Sequence, residues 1–143
     1  AIVVADQLSK VGIMVEVNAL PRAIFFPRMQ KLDTSFHLSG WVGVSASNYF
    51  LSLFGTISPK TGGGRVNYGA YSNPKMDQLI ELMLTTVIPE KRMEYFKAAA
   101  RLAQEDVPKI PLHFENISHG ISNKFDMKIR VDDQVRPYEI IPK

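Results

Sequence analysis

Apolar positions along the chain alternate between two periods. Over residues 1–11, Val4, Leu8 and Val11 recur at helical spacing while Asp6, Gln7 and Lys10 fall elsewhere, and Gly12 supplies a stop. Beyond it Ile13, Val15, Val17 and Ala19 alternate with Met14, Glu16, Asn18 and Leu20, the period of a half-buried strand. Pro21 opens a second helical region with Phe25, Met29 and Leu32 on one face, and Pro27 either restarts or kinks it. After a turn at Asp33 and Thr34, Phe36, Leu38, Gly40 and Val42 alternate with Ser35, His37, Ser39 and Trp41 as a second strand. This order predicts two parallel neighbouring strands with a helix crossing between them.

The pattern then weakens. Residues 49–54 form one or two apolar helical turns, and residues 58–69 a Gly-rich irregular loop. A clear helix follows, with Asn73 as N-cap, Pro74 at its first position and a stripe of Met76, Leu79, Ile80, Met83 and Val87. Pro89 begins another, with Phe96, Ala99, Leu102 and Ala103 inward, Glu94 to Lys97 and Arg101 to Glu105 as solvent-side pairs, and Pro108 beyond its end. Ile110, Leu112 and Phe114 alternate with Pro111, His113 and Glu115, and Pro111 confines that strand to an edge or a strand start. Residues 117–122, 127–131 and 138–141 are short strand candidates. The fold class expected is α/β: a βαβ core with flanking helices and a β-rich carboxy-terminal tail, without internal repeats.

Composition narrows the function classes. A chain of 143 residues with 45% hydrophobic and 22% charged residues can bury one core. Seventeen Lys and Arg against fourteen Asp and Glu leave +3, spread along the chain, too little to argue for nucleic acid or a membrane surface. The absence of Cys excludes disulfides, thiolate metal sites and a cysteine nucleophile, and fits either the cytosol or the periplasm. No segment has the length and apolarity of a membrane-spanning helix, and the amino end lacks a signal-peptide pattern. Because a helical pattern is under way at the first residue, the expectation is a fragment of a longer protein whose upstream part carries any targeting signal.

Several chemical motifs fail on their details. Gly62, Gly63 and Gly64 suggest a phosphate loop, but no Lys-Ser or Lys-Thr pair follows, no strand precedes and no helix opens from them. Ser45 lies in Gly43-Val44-Ser45-Ala46-Ser47, where a nucleophile elbow requires Gly in place of Ser47, so a serine hydrolase stands only as an alternative. His37, His113 and His119 form no paired metal motif, and no metal or cofactor is expected. Asp132 and Asp133 lack the alternating oxygen ligands of a calcium loop, and Asn116-Ile117-Ser118 is a chance sequon. Trp41, the sole Trp, ends a strand and leads into a small-residue loop, Gly43, Val44, Ser45, Ala46, Ser47 and Asn48. Strand ends that open into loops are where open α/β sheets bind ligands. Packing beneath a helix on the second sheet face is the equal alternative for the indole.

The order of these pieces resembles the carboxy-terminal domain III of the family 5 extracellular solute-binding proteins, the oligopeptide, dipeptide and nickel receptors of ABC importers. The matching elements are Leu8-Ser9-Lys10-Val11-Gly12-Ile13 with its strand, the strand ending Gly40-Trp41, and Val66-Asn67-Tyr68 before Tyr71-Ser72-Asn73-Pro74 and Asp77. Arg92 and Pro108 with Ile110-Pro111-Leu112 complete them, over nearly the whole chain. The resemblance implies a monomeric periplasmic or lipid-anchored receptor, not an enzyme, that closes two lobes over a peptide or peptide-like solute and docks on the transmembrane subunits of a permease. Residues 1–116 would be one ligand-binding lobe with a periplasmic-binding-protein-like fold, and residues 117–143 tail strands returning toward a missing amino-terminal lobe. Carried over by position, Trp41, Val42, Gly43, Val44, Ser45, Ser47 and Asn48 line the cleft. Peptide-binding members place an acidic residue just after the Gly-Trp pair; residues 42–48 contain none, which leaves sugar-containing or modified solutes open. A sensory or adaptor binding domain outside transport is the further alternative.

Overall fold

Three helices hold the core of this computed structural model, which describes residues 1–43, 45–116, 118–130, 132 and 134–143. In chain order the elements are α1 (Ile2–Ser9), α2 (Arg22–Gln30), α3 (Ala46–Leu53), α4 (Pro74–Thr85), α5 (Pro89–Asp106), β1 (Phe125–Met127) and β2 (Ile140–Pro142), with a 3-10 turn at Pro137–Glu139. The protein is thus a mixed α/β chain, with five α-helices and a two-stranded antiparallel sheet among the described residues.

Each core helix begins for a local reason. Ser45 caps α3, its Oγ accepting from the Asn48 amide at 3.2 Å. Asn73 caps α4, its Oδ1 accepting from the Lys75 amide at 2.9 Å, and Pro74 fills the first position, where no amide partner is needed. Pro89 does the same for α5, which ends at Val107 in a left-handed conformation. Phe50, Leu53 and Phe54 of the α3 segment pack on Met76, Ile80 and Met83 of α4 and on Ala99 and Leu102 of α5. Phe50 stacks on Phe54 at 5.0 Å and meets Phe96 edge-on at 5.5 Å. The expected stripe of α4 is therefore buried up to Met83, whereas Val87 lies past the helix end and is 87% exposed.

The glycine-rich loop after α3 packs closely. The Gly64 amide donates to the Leu51 carbonyl at 2.9 Å and the Val66 amide to the Ser52 carbonyl at 3.0 Å, folding the loop back on α3. Gly64 has φ +69°, and a Cβ there would stand 2.7 Å from Ile57 Cα, so only glycine fits. Asn67, fully buried, ties the loop together: its Nδ2 donates to the carbonyls of Gly55 (3.0 Å) and Tyr71 (2.7 Å), and its Oδ1 accepts from the Tyr71 amide (3.2 Å). Asp77 accepts from the Thr56 amide at 2.8 Å and the Thr56 hydroxyl at 2.6 Å, joining the first turn of α4 to the same loop.

The expected strands over residues 13–19, 36–42 and 110–114 are not formed. None has a ladder hydrogen bond among the described residues, and a strand persists only where a neighbour takes its amides and carbonyls. The faces also differ from expectation. Phe36 and Leu38 are exposed, while His37 on the opposite face is half-buried and meets Tyr68 edge-on at 5.9 Å. Residues 36–42 nevertheless approach residues 109–115 at one point, where a Cβ on Gly40 would stand 3.9 Å from Glu115 Oε1.

Helix α2 contains Pro27 in its interior instead of restarting there; Met29 is buried, whereas Leu32 is exposed beyond the helix with φ 57°. Val4 and Leu8 of the first helix are half-buried, and Val11 lies past its end in solvent. In the tail, β1 and β2 pair antiparallel, Asp126 opposite Ile141, covering parts of two expected strands. Ile117, Val131 and Asp133, which belong to the strand candidates 117–122 and 127–131, the sequon and the Asp132-Asp133 pair, lie outside the described residues. Arg130 holds Asp132 at 2.9 and 2.7 Å and Glu139 at 3.4 Å. The Arg130 guanidinium keeps the Asp132 carboxyl down at about 2, so this carboxylate is committed within the tail.

Candidate functional site

The segment leading into α3 is shaped by what its small residues permit. A Cβ on Gly43 would stand 3.1 Å from the Cβ of Tyr49, so glycine lets the incoming chain lie against the first turn of the helix. Trp41 precedes it with its side chain 42% exposed, and Val42 is exposed as well. The indole is neither fully solvated nor buried beneath a helix. Val44 lies outside the described residues.

The remaining expected site residues are drawn into the helix start. Ser45 Oγ is engaged in the cap, and among the described residues no His or carboxylate is within hydrogen-bonding reach of it, so nothing there activates a nucleophile. Ser47 is half-buried, its Oγ donating to the Met83 carbonyl at 3.5 Å across to α4. Asn48 gives its amide to Ser45. The structure therefore groups Ser45, Ser47 and Asn48 at the amino end of α3, with Gly43, Val42 and Trp41 leading in. Chemically this is an uncharged surface of small polar residues and one half-exposed aromatic ring.

A concave surface elsewhere escaped the sequence reading. A shallow cavity of about 410 Å³ lies between the end of α2 and the glycine loop, lined among others by Leu32, Ile57, Pro59, Arg65 and Tyr68. Trp41 is not among its lining residues. Its one advance signal was the glycine run, which brings backbone close to backbone. Behind Tyr68, burial pushes the His37 imidazole below its ordinary range, with the Lys109 charge adding to the effect, and burial also lowers Lys109.

The clearest electrostatic cluster is structural. Tyr71 donates its phenol to Asp106 Oδ2 at 2.5 Å, and Asn73 Nδ2 donates to the same oxygen at 2.7 Å, so the end of α5 is tied to the start of α4. Burial, then the Asp106 hydrogen bond, push Tyr71 up to about 12. The fold favours the protonated phenol, so this contribution is complete below the ordinary tyrosine value of 10 and is lost as pH rises toward 12. Asp106 is held below its usual range by the same bond and by Asn73; its contribution is complete above about pH 4 and is lost on acidification. Urea unfolding between pH 9 and pH 12 is expected to show a steeper loss of stability in the native sequence than in Tyr71→Phe. Parallel curves for the two would remove Tyr71 from the account.

No family, curated protein or solved structure matches this chain.

Proposed function

We propose that this chain is the carboxy-terminal lobe of an extracytoplasmic solute-binding protein of the family 5 type, serving an ABC importer. In this reading residues 41–48 form one wall of a cleft, and a second lobe of the same protein supplies the other. The observation that carries it is Trp41: a lone indole left 42% exposed at the mouth of an uncharged segment that enters a capped helix. Burying such a ring against a ligand stabilises the complex without the desolvation cost of a charge. The residues of the resemblance between positions 67 and 77 support it too, because they are tied into the core: Asn67 bonds Tyr71, Tyr71 and Asn73 share Asp106, and Asp77 holds Thr56. Binding is coupled to closure: the solute favours the closed population because only that form touches it from both sides.

The test uses the full-length protein purified without denaturation. Native mass spectrometry is expected to detect a retained small solute, and one class from a panel of peptides, sugars and metal ions is expected to raise the thermal midpoint saturably, without turnover. Trp41→Ala is expected to weaken binding about tenfold, the effect of truncating an aromatic anchor. A protein that arrives empty and is stabilised by nothing in the panel ends this reading; turnover lost on Ser45→Ala replaces it with a hydrolase.

A further inference from the structure

The cavity between the end of α2 and the glycine loop has a lining that the solute reading leaves unused, and its wall divides by chemistry. Leu32, Ile57 and Pro59 form an apolar part in which Leu32 is 46% and Ile57 50% exposed. Gln30, Arg65 and Tyr68 line it too, and among the described residues the Gln30 amide, the Arg65 guanidinium and the Tyr68 hydroxyl make no hydrogen bond and no ion pair. The polar groups around them are committed. Asn67 holds the carbonyls of Gly55 and Tyr71, and Asp33, just past the end of α2, is taken by Arg28 at 3.0 Å. Donors of the chain thus line an apolar concavity in which no group of the chain accepts from them. The floor is fixed, because Gly64 admits no Cβ and its amide is held by the Leu51 carbonyl at 2.9 Å.

Charge decides the class of ligand. Arg65 is the one charged residue among the described lining, and no Asp or Glu is there. An ammonium would meet a cation and no counter-charge, which disfavours amines and zwitterionic amino acids. A phosphate dianion brings two charges to one guanidinium. A carboxylate brings one, and its two oxygens match the two parallel N–H donors of the guanidinium fork. The apolar part of the wall requires a body without polar groups, because each such group would lose water and gain no partner. A volume of about 410 Å³ lies within the span of small-molecule sites, roughly 300–1,000 Å³.

We infer that this cavity binds a small monocarboxylic acid with an apolar body, its carboxylate on Arg65 and its body against Leu32 and Ile57. Trp41 does not line the cavity, so the inference stands apart from the cleft reading. Phenylacetate is the probe, titrated into the full-length protein and followed by saturation-transfer NMR of the acid itself. Saturable binding is expected with a dissociation constant on the order of 1 mM, as suits a small acid in a shallow site. Phenylacetamide, which keeps the body and loses the charge, and acetate, which keeps the charge and loses the body, are each expected to bind at least about tenfold more weakly. Arg65→Gln is expected to raise the dissociation constant for phenylacetate about tenfold, and Ile57→Asp, which sets a like charge in the wall, to abolish saturable binding. Lys60→Ala removes an exposed cation of the same loop that does not line the cavity, and is expected to leave the constant within about twofold. Both lining residues are exposed, and far-UV circular dichroism checks that each variant keeps the fold. No saturation by about 20 mM, equal binding of phenylacetamide, or an Arg65→Gln effect no larger than that of Lys60→Ala overturns the inference.

Discussion

Asn67→Ala is expected to destabilise the fold by about 3–4 kcal/mol, lowering Tm by roughly 10 °C, because it strands three backbone groups at once. The carbonyls of Gly55 and Tyr71 lose their donor and the Tyr71 amide loses its acceptor, in a place where the Asn67 side chain is fully buried. An unmade buried hydrogen bond costs about 1–3 kcal/mol, and the three share one side chain, so their costs overlap instead of adding. Asn67→Asp should fare no better, since it keeps the acceptor but turns a negative oxygen toward two carbonyls. Asn18→Ala, at an exposed site, is expected to change stability by less than about 0.5 kcal/mol. Urea denaturation of the three variants measures these differences. Equal midpoints for Asn67→Ala and Asn18→Ala would mean that residues 55–71 are not a fixed part of the core, and the placement of α3 and its cap would lose its support.

What was legible in the sequence follows from how local each signal is. The start of α4 was readable because Asn73 and Pro74 act on their own first turn, whatever lies around them. The inward face of α5 was readable because Phe96, Ala99, Leu102 and Ala103 share one stripe of an amphipathic helix. The strands were not, because a strand requires a neighbour that its own alternation cannot supply. Residues 36–42 show the difference: the period is there, but Phe36 and Leu38 face solvent while His37 turns inward to Tyr68. Alternation alone does not say which face is covered. At the candidate site, Trp41 is 42% exposed, and Ser45 and Ser47, which the sequence offered as ligand-facing, also serve a helix cap and a contact to α4. Small hydroxyl residues serve helix starts as readily as ligands, and spacing does not separate the two uses.

Met83→Ala is expected to cost about 2–5 kcal/mol, in contrast to Leu84→Ala one residue along, where about 0.5 kcal/mol or less is expected. Met83 is 1% exposed within the cluster of Phe50, Phe54, Met76 and Ile80, so its removal leaves a void between α3 and α4; Leu84 is 52% exposed and leaves none. Met83→Leu, which keeps most of the volume, is expected to cost less than about 1.5 kcal/mol. The three-way comparison by denaturant melts separates a cavity effect from a helix-propensity effect, since Ala is the better helix former at both positions and would stabilise each if propensity governed. The consequence reaches the candidate site, because the Met83 carbonyl also receives the Ser47 hydroxyl. Loosening α4 under α3 therefore frees the helix start into which Trp41 and Val42 lead. On the proposed receptor reading, Met83→Ala is expected to weaken solute binding together with stability, whereas Trp41→Ala is expected to weaken binding and leave the unfolding midpoint without ligand close to that of the native sequence. Equal losses of stability in Trp41→Ala and Met83→Ala would mark the indole as part of the core and remove it from the proposed cleft.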